Sequence, residues 1–417
     1  MKKKKGFTLV ELLAVIVILA IILVIAVPKI SDTIKNSKKA SFESSAKTIA
    51  AQAEKKKMEK EILEDTGSIN CSDVVKLNDT DYGNCSITFD GNTAKVSLVG
   101  KGKFEGLAII NGTKDSAKAG DTKLPEYGKG TIFIKNLYDN EILRVTNGLK
   151  KDNTSDANIR YEGANPNNYV SFNDELWKII GVFGDNIKLI RTVELGKLSW
   201  DSSDSSVNEG SGVNEWSQAD LKDYLNTMYY GGTSVTCYGS SKNSTTTCPT
   251  GSLNSTAKSM INNYTWNTGA ITTSTSAGIL ELYNAERDSI PCKMCTSGDR
   301  CNDTVERTTT WQGYVALPYT SDYGYASTDE SCINSFSGLC KNNNWMHHGS
   351  AIYEGMWMLD PICHSVGPSF AWFIGGLGNA GTGSASFAYS IFPSVYLNSN
   401  VEITGGSGTS SDPYILK

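Results

Sequence analysis

At 417 residues, with 39% hydrophobic and 20% charged side chains, the chain is long enough to bury a sizeable core and has the composition of a globular protein of roughly 2–3 domains. Its formal net charge is −5; without the four lysines at positions 2–5 the balance is 35 basic to 44 acidic residues, or −9, which argues against a body that binds nucleic acid through a general basic surface.

The first element is an apolar run at residues 7–27, in which Thr8 and Glu11 are the only polar side chains. As a helix rising about 1.5 Å per residue it would be about 31 Å long, against a hydrocarbon core of roughly 30 Å. Lysines precede the run and none lies within it, which predicts a cytoplasmic N-terminus with the remainder outside. A secretory signal would have a shorter core of roughly 7–15 residues followed by a small-x-small cleavage site, and neither is present. Glu11 sits inside the run, where a carboxylate costs about 2.5–3.5 kcal/mol on insertion scales and calls for a partner. A cut between Gly6 and Phe7 would leave the helix attached and free the Phe7 amine, a cation able to pair with Glu11 of a neighbouring copy.

In these residues the chain resembles the type IV prepilins and pseudopilins, whose signature is a short basic leader ending in Gly, then Phe-Thr-Leu-(Val/Ile)-Glu and an apolar helix. Here it reads Gly6-Phe7-Thr8-Leu9-Val10-Glu11-Leu12-Leu13, without a departure. The resemblance implies cleavage after Gly6, N-methylation of Phe7 by a membrane prepilin peptidase, and a role for Glu11 in registering subunits in a filament. Pro28 falls where many such helices kink, in keeping with a proline that removes one backbone hydrogen bond. The likeness covers about the first 30 residues and extends more loosely to residue 66.

Beyond Pro28 the pattern turns amphipathic: Ile30, Ile34, Phe42, Ala46, Ile49, Ala50, Ala53 and Ile62 recur at spacings near three and four. The charges of residues 54–61 read as a solvated helix face. Gly67 is the expected C-terminal cap, so one helix should span 7–66, its first part (7–27) transmembrane. Residues 67–125 switch to strand signals. Stretches 86–89 and 94–99 alternate across Asp90-Gly91, a hairpin signal, and 104–110 is a third candidate. A small antiparallel sheet on the second half of the helix is also what the resemblance implies. Residues 126–157 read as a connector, and 150–158, at its end, as a polar linker.

From 158 to 417 the composition changes: all eight tryptophans and eight of the ten cysteines lie in this region. Stretches 176–182 and 187–191 read as strands around Gly184-Asp185-Asn186. Residues 218–228 and 255–263 read as helices, each opened by a serine, and 394–397, 401–404 and 413–416 as terminal strands. The blocks at 160–169, 176–181, 357–361 and 393–397 resemble an uncharacterised domain of bacterial surface and pilin-like proteins, itself distantly similar to C-type lectins and formylglycine-generating enzymes. That resemblance implies a compact, loop-rich mixed α+β unit and no established activity. The fold class expected overall is α+β: a long helix on a small sheet, then a large disulfide-containing domain.

The cysteines sit on the exported side of the apolar run, where an oxidising exterior makes disulfides the default. Neighbours in sequence suggest Cys71 with Cys85, Cys237 with Cys248 and Cys332 with Cys340, leaving Cys292, Cys295, Cys301 and Cys363 open. The C-x₂-C-x₅-C spacing at 292–301, with His347, His348, Cys363 and His364, admits zinc, a redox pair or structural bridges; the second half of a zinc motif is missing, and the compartment favours bridges. Gly376-Leu377-Gly378-Asn379-Ala380-Gly381 matches G-x-G-x-x-G without the strand–helix context that a dinucleotide site needs, and reads as a loop. His347-His348 with Ser369 or Asp360 makes a weak hydrolytic group in the absence of a nucleophile elbow. The aromatic residues are expected mostly in the core, with Trp311, Tyr323, Trp345 and Trp357 as candidates for a flat ligand surface.

The reading that results is a minor or tip pilin-like subunit, not an enzyme and without cofactor or metal. It is processed after Gly6, assembled through Phe7 and Glu11, and carries an extracellular adhesive or ligand-binding domain. Its expected partners are the membrane, a prepilin peptidase, other pilin-like subunits and a glycan or other surface ligand. Two alternatives are a membrane-anchored extracellular enzyme acting on cell-wall or other glycans, and an anchored monomer that borrows the pilin segment. Pilus, secretion and DNA-uptake machines all remain open.

Overall fold

A computed structural model describes residues 9–63, 69–78, 80–202, 212–271, 278–289, 305, 307–334, 336, 338–348, 355–362 and 369–417; at 10–12, 21–26, 28, 84, 333, 338 and 339 the description is of backbone alone. Gly6, Phe7, Gly67, Cys292, Cys295, Cys301, Cys363 and His364 therefore lie outside it, as do the side chains of Glu11 and Pro28. The chain divides into two compact units, Met1–Lys123 and Leu124–Lys417.

The first unit is built on one helix, Leu9–Ile62, whose backbone stays helical through residue 28. Among the described residues no helix is long and apolar enough to cross a membrane; the span expected at 7–27 falls partly on residues outside the description. Phe42, Ala46, Ile49, Ala50 and Ala53 share one face of the helix and are buried. They meet Ala94, Val96 and Leu98, the alternate residues of a strand, so helix and strand periodicities converge on one core. Small alanines at three of the five helix positions let the sheet approach closely. The sheet is an antiparallel meander of Tyr82–Asp90, Thr93–Gly100, Leu107–Gly112 and Gly120–Asp121. Its first turn falls one residue later than expected, at Gly91-Asn92, with Asp90 opposite Thr93 and Gly91 in the left-handed region at φ 57°. Glu54 ties helix to sheet by accepting from the Ala94 amide (3.2 Å) and from Lys114 Nζ (2.8 Å). Cys71 and Cys85 form a disulfide that closes the stretch between helix and sheet.

In the second unit, residues 126–157 are not a free connector. Helix Gly130–Asp139 buries Phe133, Ile134 and Leu137, and helix Glu141–Asn147 buries Leu143. The polar look of 150–158 misled because its polar groups are satisfied internally: Asp152 accepts from Thr154 Oγ1, Asn158 and Arg160. A ten-strand sheet runs in the order Val315–Ala316, Ser394–Tyr396, Asn186–Arg191, Glu175–Phe183, Tyr169–Phe172, Tyr414–Leu416, Glu402–Gly405 and Gly128–Lys129, with Ile159–Tyr161 and Leu149–Lys151 pairing off this path. A five-strand sheet follows Lys197–Ser199, Ala388–Ser390, Gly355–Pro361, Phe370–Gly375 and Ala380–Ser384. Disulfides join Cys237 to Cys248 and Cys332 to Cys340.

The helix starts expected from serines are set by other residues. Asn254 caps Ser255–Met260 by accepting from the Ala257 amide, and Glu215 caps the turn at Trp216–Gln218 by accepting from the Ser217 amide. The stretch expected as one helix at 218–228 is a turn of α-helix, Asp220–Asp223, that widens into a π-helix, Tyr224–Tyr230.

Candidate functional sites

The flat aromatic surface expected at Trp311, Tyr323, Trp345 and Trp357 does not form. Tyr323 and Trp357 are wholly buried, Trp345 is 4% exposed, and Trp311 is half-buried with its ring edge-on to Trp216. Burial is affordable because each polar handle finds a partner: Trp345 Nε1 donates to the Tyr161 carbonyl (2.7 Å), Trp357 Nε1 to the Leu198 carbonyl (3.0 Å), and the Tyr323 hydroxyl meets His347 Nδ1 (3.0 Å). His348 stacks on Phe392 at 4.5 Å, and burial, with Lys178 and His347 nearby, pushes its pKa down to about 4. Asp360 accepts from the Thr320 amide, and Ser369 is buried. Residues 376–379 turn between strands Phe370–Gly375 and Ala380–Ser384, a hairpin with no helix to receive a phosphate. Among the described residues no cluster of three His, Cys, Asp or Glu is placed to hold a metal.

Instead, the second unit opens a cleft of about 640 Å³ over a buried ionic network. At the network's centre Asp322 accepts from Lys188 Nζ (2.5 Å), Arg160 Nη1 (2.8 Å) and the Tyr319 amide (3.0 Å). Burial alone would push the Asp322 carboxyl up; the two cations overcome it and hold the group at about 2. Lys188 lies 4.0 Å from the Tyr319 ring centroid and 5.1 Å from that of Tyr396, and the Arg160 guanidinium lies over Phe183 (4.6 Å) and Tyr325 (4.7 Å). Paired and enclosed in this way, these charges are framework.

Five segments far apart in sequence make the cleft walls, one of them the strand Ser394–Tyr396, which contributes Tyr396. The hairpin of Glu175–Phe183 and Asn186–Arg191 turns at Gly184-Asp185, with Gly184 in the left-handed region at φ 58°, and lifts the exposed Asp185 to its tip. Strand Tyr264–Asn267 places Tyr264, stacked on Tyr396 at 3.7 Å, beside Asn267. Helix Ile279–Glu286 delivers Tyr283 and, just beyond its end, Arg287, whose guanidinium lies 3.4 Å from the Tyr283 ring centroid. The 152–158 loop contributes Asp156, which accepts from the Tyr283 hydroxyl (2.6 Å). Arg287 Nη1 donates to buried Glu286 Oε2 (2.8 Å), and Glu286 also accepts from the amide and hydroxyl of Ser321 (2.8 and 2.6 Å). A smaller cavity of about 90 Å³ beside Lys150, Arg160, Glu162 and Tyr325 has room for little more than solvent. Sequence reasoning missed the large cleft because its residues come from five separate segments; the local hints were Gly184-Asp185-Asn186 and the alternation Tyr264-Thr265-Trp266-Asn267.

Comparison with known proteins bears on the N-terminus. The family described as the prokaryotic N-terminal methylation motif matches residues 1–27. The chain thus has a type IV pilin- or pseudopilin-like N-terminus, the mark of a pilin-type precursor. No curated protein and no solved structure matches it, so the expected likeness of 158–417 to lectin-like and formylglycine-generating folds is without support.

Proposed function

We propose that the protein is a minor or tip subunit of a type IV pilus or pseudopilus. The precursor is inserted in the membrane through residues 7–27, cut between Gly6 and Phe7 and methylated there by a prepilin peptidase, and assembled with other pilin-like subunits through its helix. The second unit serves adhesion or ligand binding outside the cell, and the role requires no catalytic residue. One observation carries this reading: the methylation motif heads an unbroken 54-residue helix. Along that helix Leu13, Val15, Ile16, Val17, Ile18, Leu19, Val27, Ile30 and Ile34 are exposed, a run of apolar surface that lipid or neighbouring helices would cover. A second unit of 294 residues, Leu124–Lys417, would crowd a filament shaft, which favours a minor or tip position. Mass spectrometry of the N-terminus from native membranes tests the reading. Methylated Phe7 as first residue is expected; an intact Met1 terminus, in cells whose peptidase processes other substrates, would overturn it.

A further inference from the structure

We infer that the cleft between the Gly184-Asp185 hairpin, Tyr264, Asn267 and Arg287 binds a neutral oligosaccharide. The inference rests on the reading of the second unit as a ligand-binding domain and gives that reading a site and a chemical class.

Size comes first: about 640 Å³ lies within the roughly 300–1,000 Å³ of small-molecule sites. The second argument is the balance of committed and uncommitted polar groups. Most polar side chains around the cleft are spent on the fold: Asn158 Nδ2 donates to Asp152 and the Tyr283 hydroxyl, and Asn186 Nδ2 donates to the Leu397 carbonyl (2.7 Å). The Asp185 carboxylate, the Asn267 side-chain amide and the Tyr264 hydroxyl have no hydrogen-bond partner among the described residues. A carboxylate accepts only, an amide donates and accepts, and a phenol does both. Together they match adjacent hydroxyls of a sugar, each of which donates and accepts at once.

Third, Tyr264 is half-buried and held by its stack on Tyr396 and an edge contact with Trp266 (6.1 Å). A ring fixed in advance offers apolar area to the C–H face of a pyranose with little ordering cost.

Charge then selects within the carbohydrates. Arg287 is the cation among the residues lining the cleft and is already paired with Glu286; the acidic side chains of the lining are Asp156 and Asp185. Phosphorylated, sulfated or sialylated ligands meet net negative potential. An amine fares little better, because both aspartates are exposed and the attraction of exposed charges is screened.

The test uses the full chain in detergent micelles against immobilised neutral trisaccharides of glucose, galactose, mannose and N-acetylhexosamines, with sialyllactose and trilysine as charged probes. Saturable binding to at least one neutral sugar is expected, falling at least tenfold in Tyr264→Ala and in Asp185→Ala. Among the described residues the exposed Asp185 side chain has no hydrogen-bond or ion-pair partner, so that variant separates a lost contact from a lost structure. No saturable neutral-sugar binding, or binding unchanged in both variants, would overturn the assignment. Binding of trilysine that depends on the same two residues would overturn the saccharide class, and such binding of sialyllactose would overturn the neutrality of the ligand; both would keep the ligand-binding reading. If cells carrying both variants adhere as wild type does while deletion of the chain abolishes adherence, the adhesive surface lies elsewhere and this site falls.

Discussion

Asp322 is a residue whose three hydrogen bonds hold together parts of the chain distant in sequence, from Arg160 to Tyr319. Removing its charge leaves Lys188 and Arg160 buried against aromatic rings with an acceptor missing. Asp322→Asn should therefore destabilise the second unit by about 3–5 kcal/mol, read as a lower urea midpoint by tryptophan fluorescence. A different pair sets a pH dependence. Burial and the neighbouring Asp220 carboxyl push Asp201 up to about 7 from an ordinary 3.8. Between those values the folded chain binds a proton that the unfolded chain does not, so this pair's contribution to stability is full at low pH and lost as pH rises through 7. Asp220→Asn keeps the acceptor for the Ser202 amide and removes the like charge. It should raise stability at pH 8 and give little change at pH 5, and the difference between variant and wild type cancels His348, whose depressed pKa acts in the opposite sense. Neither group was legible in the sequence, where Asp201, Asp220 and Asp322 look like any surface aspartates. Their behaviour comes from burial and from partners that only the fold supplies.

Elements with strong local signals were legible. The helix was expected at 7–66 and its described part is Leu9–Ile62; the hairpin around Gly91 and the strands flanking Gly184-Asp185 lie within a residue or two of expectation. Their periodicity is written in consecutive side chains, and glycine marks the turns. The segment 126–157 was not legible, because short helices with polar outer faces look like linkers until something covers Phe133 and Leu137. The serine caps failed for a related reason: Asn254, one residue earlier, accepts from the Ala257 amide, and the Asp220 amide at the start of Asp220–Asp223 donates to Asp201, brought there by the fold. The Cys71–Cys85 bridge spans 14 residues and ties the short helical turn Cys71–Val74 to the first strand of the sheet. Changing both cysteines to serine should cost the first unit about 2–4 kcal/mol. All eight tryptophans lie in the second unit, so fluorescence should be unmoved while limited proteolysis finds new cuts before residue 123.

For the whole molecule, assembly and ligand binding are separable by mutation. Glu11→Ala should abolish incorporation into filaments, seen by immunogold labelling of sheared surface fibres, and leave saccharide binding by the detergent-extracted chain unchanged; normal incorporation would remove the assembly role from the carboxylate. The first unit is built from neighbours in sequence, helix then meander. The second is not: strand Tyr414–Leu416 lies between Glu402–Gly405 and Tyr169–Phe172, with which it runs parallel. This placement dictates an order of events on the ribosome. At roughly 5–20 residues per second, the first unit can close early, whereas Tyr169–Phe172 waits for a partner made more than 200 residues later. For that interval a nascent chain displays an unsatisfied sheet edge, which a holding chaperone or rapid handover to a translocation machinery would shield until synthesis has passed residue 416.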